Sequence, residues 1–150
     1  YKFKKKINDY FIKKYFLPDI KIKLATKLSK FANSSIDISD GLISDLEKML
    51  NNQDYSFIIN EHQIPVSKHL KDLVNDTKFK KYKLISNGDD YQVLFTANVN
   101  KSRIIQKTSN NLGIKITKIG KITSGKKKNI LVDQKDKQIL LKYKGYIHQF

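Results

Sequence analysis

The segment Ser35-Ile36-Asp37-Ile38-Ser39-Asp40-Gly41-Leu42 sets the fold class of this 150-residue chain. Its first residues alternate as a strand with one buried face does, so Ile36 and Ile38 share one side and Asp37 and Ser39 the other. Leu42, Leu46, Met49 and Leu50 then recur at helical spacing. A turn over Asn33-Ser34-Ser35 and a short strand Ile36–Ser39 are therefore expected, leading straight into a helix. Two carboxylates and a hydroxyl meet at that helix N-terminus, where free backbone N–H groups favour phosphate and carboxylates hold the cations that accompany it. An N-cap alone would explain Ser39 or Asp40. It would not call for a second carboxylate, Asp37, on the preceding strand.

Outward from this segment, helices and strands interleave. Asn8 can cap a short helix carrying Phe11, Ile12, Tyr15 and Phe16, and Pro18 opens the next one, with Ile20, Leu24, Leu28 and Phe31 on one face. Downstream, Tyr55–Ile59 and Tyr91–Thr96 read as strands, Ser67 as the cap of a helix through Leu70, Leu73 and Val74, and Lys101–Leu112 as a helix closed by Gly113. Ile114–Ile122 is extended, and Ile130–Asp133 pairs with Gln138–Lys142 around Gln134–Lys137. With no repeat and no Pro- or Gly-rich linker, the pattern is one α+β unit with α/β-type layers: a mixed sheet covered by helices.

Two further segments carry polar chemistry. Asn87-Gly88-Asp89-Asp90-Tyr91 is turn chemistry with paired acids ahead of a strand; such acids cap and face water, or else orient a ligand. The tail Gly145-Tyr146-Ile147-His148-Gln149-Phe150 packs aromatics and a His where termini usually fray, so packing or stacking on a flat ligand should tie it down.

Composition narrows the function classes. With 30 basic and 14 acidic residues the net charge is +16, which by itself suits nucleic acid or an anionic membrane. Yet 29 of the cations are Lys, Arg103 is the sole Arg, and the 20 Ile and 12 Asn beside them match an AT-rich coding bias. A protein that reads bases would favour the Arg fork. Against this Lys background only residues 31–60 are net acidic, through Asp37, Asp40, Asp45, Glu47 and Asp54. The absence of Cys excludes a thiolate nucleophile, three scattered His make no zinc cluster, and no apolar run reaches the ~18 residues of a bilayer span. A soluble, cytoplasmic protein is expected, with neither nucleic acid nor membrane as partner.

In this order the segments resemble the thiamine-monophosphate kinases. Asp37-Ile38-Ser39-Asp40-Gly41-Leu42 with Asp45-Leu46 is similar to the family signature, and Asn87-Gly88-Asp89-Asp90-Tyr91 to its Gly-Gly-Glu-Asp-Tyr. Ile119-Gly120, the Gly-Tyr-x-His tail and Tyr15-Phe16-Leu17-Pro18 complete the match. The resemblance implies the fold of the aminoimidazole-ribonucleotide-synthetase superfamily and Mg²⁺-dependent transfer of the ATP γ-phosphoryl group to thiamine phosphate, giving thiamine diphosphate. By position, Asp37 and Asp40 would hold Mg²⁺, Ser39 would contact ATP, and Asp89 and Tyr146 would contact thiamine phosphate, with no covalent catalytic residue. Residues 1–17 would be a lead-in helix and 18–150 the carboxy-terminal domain of a longer, homodimeric enzyme whose amino-terminal domain lies outside this chain, leaving the chain inactive alone. Another ATP-dependent or inactive superfamily member, and less readily a basic nucleic-acid-binding module, are the alternatives.

Overall fold

The computed structural model describes residues 5–51, 53–76, 80–125 and 127–146. Helix α1 (Lys5–Phe16) starts ahead of Asn8, so that residue lies inside the helix rather than capping it. No α1 residue is fully buried; Tyr10 stacks on His69 with ring centroids 4.0 Å apart, while Tyr15, Phe16 and Leu17 stay exposed. Helix α2 (Ile22–Leu28) begins after Lys21, leaving Pro18 in the connection, and buries Leu24.

Strand β1 (Ala32–Asp37) replaces the expected turn over Asn33–Ser35. The ladder explains why: β1 pairs antiparallel with β3 (Val93–Ala97), Ser35 opposite Phe95 and Asp37 opposite Val93, and Ser34 Oγ meets Thr96 Oγ1 at 2.7 Å. Cross-strand pairing thus satisfies the polar residues that suggested a turn. The expected alternation holds at Ile36 and Asp37, which turn inward and outward.

A second, mixed sheet has the order β4-β2-β5. Strand β2 (Tyr55–Asn60) lies antiparallel to β4 (Gly120–Ser124) and parallel to β5 (Ile130–Val132). The expected hairpin after β5 survives as a Val132–Gln138 bridge and the Ile139 N–H donating to the Leu131 carbonyl. Helix α4 (Lys68–Asp76) is capped by Ser67, whose Oγ accepts the Leu70 N–H, and α5 (Ser102–Leu112) ends on Gly113 at φ 62°.

Between the strands sits α3 (Leu42–Met49), which buries Leu42, Ile43 and Leu46 against Phe57, Ile59, Ile85, Leu94 and Leu131. Truncating Leu46, 1% exposed at the centre of this core, to Ala should cost about 2–5 kcal/mol. Anchored so firmly, α3 fixes the position of the turn that precedes it.

Candidate functional site

Three segments singled out in the sequence converge at the entry to α3. The 38–41 turn carries on the pairing of β1: Ile38 exchanges backbone hydrogen bonds with Gln92 and Tyr91, and the Asp89 N–H donates to the Ser39 carbonyl at 2.9 Å. From the other side the Tyr146 N–H donates to the Asp40 carbonyl at 2.8 Å and the Ser44 N–H to the Lys144 carbonyl at 3.2 Å. Ser86 Oγ donates to the Tyr143 carbonyl at 2.6 Å, joining the two flanking segments. The tail is tied down as expected up to Tyr146; His148 and the two residues after it lie outside the described residues.

Glycine makes this convergence possible. A Cβ on Gly88 would stand 2.0 Å from the Ser39 carbonyl oxygen, and one on Gly145 2.4 Å from Ser44 Cβ. Gly41, at φ 130°, holds a backbone conformation that side chains disfavour, and a Cβ there would press on the Ser86 carbonyl.

The expectation that free N–H groups at this helix end would receive phosphate is corrected by Asp45. Its fully buried Oδ2 accepts the N–H of Ser39 and of Asp40 at 2.9 Å and of Gly41 at 3.1 Å. The Leu42 N–H is also taken, by the Ile85 carbonyl. A carboxylate from the first turn of the helix has folded back and filled the place an anion would occupy.

Asp37, the last residue of β1, is exposed, Ser39 is half-buried, and Asp40 is 9% exposed. The Lys48 ammonium, one helical turn beyond Asp45, bonds Asp40 Oδ2 and reaches Asp45 Oδ1 at 3.0 Å. Its hydrogen bond to Asp40, then that to Asp45, raises the Lys48 pKa, so it stays an ammonium. On the facing segment Asp89 and Tyr91 both have positive φ, 63° and 49°, and Tyr91 Oη donates to Asp89 Oδ1 at 3.1 Å. That bond and the Asp89 charge raise the Tyr91 pKa, with smaller contributions from desolvation, Tyr15 and Asp37. Although Asp90 is exposed as a residue, desolvation of its carboxyl, followed by the neighbouring Asp89, holds its pKa above the usual range. Tyr146 is 66% exposed beside the Asp40 carbonyl that anchors it.

Among the described residues no group of three or more His, Cys, Asp or Glu can hold a metal ion by itself. The donors present still suit Mg²⁺, which binds through one or two carboxylates and completes its shell with water and phosphate oxygens. A side-chain cation, the Lys48 ammonium, lies against Asp40 in the structure.

Comparison with known proteins settles the family. Thiamine-monophosphate kinase of Buchnera aphidicola subsp. Schizaphis graminum is 38% identical over 143 residues, 95% of this chain and 44% of that protein. The chain belongs to the thiamine-monophosphate kinase family. The Escherichia coli K12 thiamine-monophosphate kinase is 31% identical over 140 residues, 93% of this chain and 42% of that protein. No protein-family model matches. The crystal structure of thiamine monophosphate kinase from Aquifex aeolicus superposes with a TM-score of 0.69 at 24% identity, covering 93% of this chain and 44% of that one. A structure described as AaThiL complexed with AMPPCP and TMP gives 0.68 at 23% identity, covering 97% and 43%. Both show the aminoimidazole-ribonucleotide-synthetase-like α+β fold. The chain thus spans less than half the length of the thiamine-monophosphate kinases it matches, in their carboxy-terminal part. No described helix is long and apolar enough to cross a membrane.

Sequence reasoning passed over Asp45 and Lys48 as participants. Asp45 was visible in the acidic dip, but nothing local tells a solvated helix carboxylate from one folded back onto the preceding turn.

Proposed function

We propose that this chain supplies part of an active site that transfers the γ-phosphoryl group of ATP to thiamine phosphate, yielding thiamine diphosphate. The supporting observation is the convergence of the 37–42, 87–91 and 143–146 segments on one turn, in a chain whose relatives carry that enzyme's name. In this reading Asp37 and Asp40 hold Mg²⁺, Ser39 contacts ATP, and Asp89 and Tyr146 contact thiamine phosphate. The acceptor is already an oxyanion, so the reaction needs no strong base and no covalent intermediate. Its main demand is to bring two polyanions into line. Bound Mg²⁺ would supply the charge neutralisation. The chain's own residues hold the carboxylates rigidly through Asp45 and the buried face of α3, and present the Asp89 carboxylate on a turn braced by Tyr91. The three N–H groups held by Asp45 leave ATP to be met by side chains and cations.

Residues 1–17 are proposed as a lead-in helix and 18–150 as the second domain of a longer, homodimeric enzyme. The test is formation of thiamine diphosphate from ATP and thiamine phosphate, followed by chromatography. It is run on the 150-residue chain and on a longer polypeptide carrying it behind an amino-terminal domain of the family. Mg²⁺-dependent product from the longer form alone, lost in Asp37→Asn and Asp40→Asn, is expected. No product from a folded longer form overturns the proposed activity, and rapid turnover by the 150 residues alone overturns the domain assignment.

A further inference from the structure

We propose that Lys48 is a built-in competitor for the cation site: its ammonium occupies Asp40 until a divalent cation arrives, then withdraws onto Asp45. The inference rests on the assignment of Asp40 as a cation ligand made above. Three observations carry it. First, Lys48 bonds Asp40 Oδ2, so a cation can take that oxygen only when the ammonium leaves. Second, it has somewhere to go: Asp45 Oδ1 is 3.0 Å away, and Asp45 is immobilised by the three N–H groups on its other oxygen. Third, the Lys48 side chain is 49% exposed, whereas those of Asp40 and Asp45 are 12% and 1% exposed. The lysine can therefore swing while the carboxylates stay in place.

Charge supports a shift rather than expulsion. Three carboxylate side chains, Asp37, Asp40 and Asp45, stand here against the one Lys48 ammonium, so a divalent cation can join the segment while the lysine stays on Asp45. Without Lys48 the cluster would be more negative by one charge, and the cation would have no Lys48 ammonium to displace.

The experiment measures Mn²⁺ affinity of the 150-residue chain from the loss of the free Mn²⁺ EPR signal, with circular dichroism to confirm that each variant folds. Lys48→Met should tighten Mn²⁺ binding about three- to fivefold, the size expected for losing a competing, partly exposed ion pair. Lys144→Met removes the same charge from the neighbouring Glu47 pair, 2.7 Å long, and should leave affinity unchanged. Asp40→Asn should weaken binding. If Asp40→Asn weakens binding but Lys48→Met fails to tighten it, or Lys144→Met tightens it equally, the competition is overturned and the cation site stands. If Asp40→Asn leaves Mn²⁺ binding unchanged, the cation assignment of Asp40 falls and the competition with it.

Discussion

Asp45 Oδ2 accepts the N–H of Ser39 at 2.9 Å across the entry to α3, and the same oxygen holds the N–H groups of Asp40 and Gly41. One buried carboxylate therefore shapes the turn that carries two of the residues assigned to ligands. Removing it leaves three partly or fully buried donors without an acceptor, each worth about 1–3 kcal/mol when unsatisfied. Asp45→Ala should lower unfolding stability by about 3 kcal/mol or more, and Asp45→Asn by less, because the amide oxygen still accepts. Urea denaturation measures this, and a loss below about 1 kcal/mol would contradict the structural role given to Asp45.

The glycines of the site should rank by what a Cβ would meet. Gly88→Ala sets a Cβ 2.0 Å from the Ser39 carbonyl oxygen and Gly145→Ala one 2.4 Å from Ser44 Cβ, whereas a Cβ on Gly113 has nothing within 4 Å and only its φ of 62° to oppose it. We expect Gly113→Ala to cost about 1 kcal/mol and Gly88→Ala clearly more, with its damage centred on the 38–41 turn. Thermal denaturation gives the ranking, and amide hydrogen exchange at residues 38–41 locates it. Equal losses at Gly88 and Gly113 would contradict this packing of the three segments.

These residues also show what a sequence can reveal. Local signals at Ser67, Gly113 and the Ile36–Asp37 alternation announced a cap, a helix end and a strand, because each depends on neighbours within a few positions. Asn33–Ser35 misled for the opposite reason. Their polar side chains suit a turn, and only the partner strand, some sixty residues away, makes them a strand. Within the site, Asp37 and Asp40 stood out against a Lys-rich background, while the position of Lys48 on Asp40 follows from how α3 sits on the core, which no spacing rule encodes.

The turn after β5 offers a pH test. Asp133 Oδ1 accepts the N–H of Lys137 at 2.9 Å and of Lys135 at 2.7 Å, and these bonds, Lys137 first, hold its carboxyl below the ordinary aspartate pKa. A depressed folded pKa stabilises the turn above the unfolded value of about 3.9 and loses that contribution as pH falls through the folded value. The amides of Lys135 and Lys137 should therefore keep their NMR shifts down to about pH 4 and move together below it. In Asp133→Asn that acid transition should disappear. A transition centred above the ordinary aspartate value would contradict the hydrogen-bonded turn.

Tyr91 and Asp89 make the opposite case at high pH. The phenol donates to Asp89 Oδ1, and that bond, then the carboxylate's charge, raise its pKa above the ordinary tyrosine value. A raised folded pKa means the contribution is fully present below the unfolded value of about 10 and is lost as pH rises through the folded value. Alkaline ultraviolet titration, with Tyr91→Phe subtracted to isolate this phenol among the 8 tyrosines, should show it ionising above the ordinary tyrosine value. In Asp89→Ala its pKa should fall toward the ordinary value, because both the acceptor and the charge are gone. The same bond bears on the proposed substrate contact. With the phenol removed, Asp89 keeps its φ of 63° but loses its brace, so Tyr91→Phe in the longer polypeptide should raise the KM for thiamine phosphate more than it lowers kcat. A fall in kcat at unchanged KM would place Tyr91 at the reacting centre instead of behind Asp89.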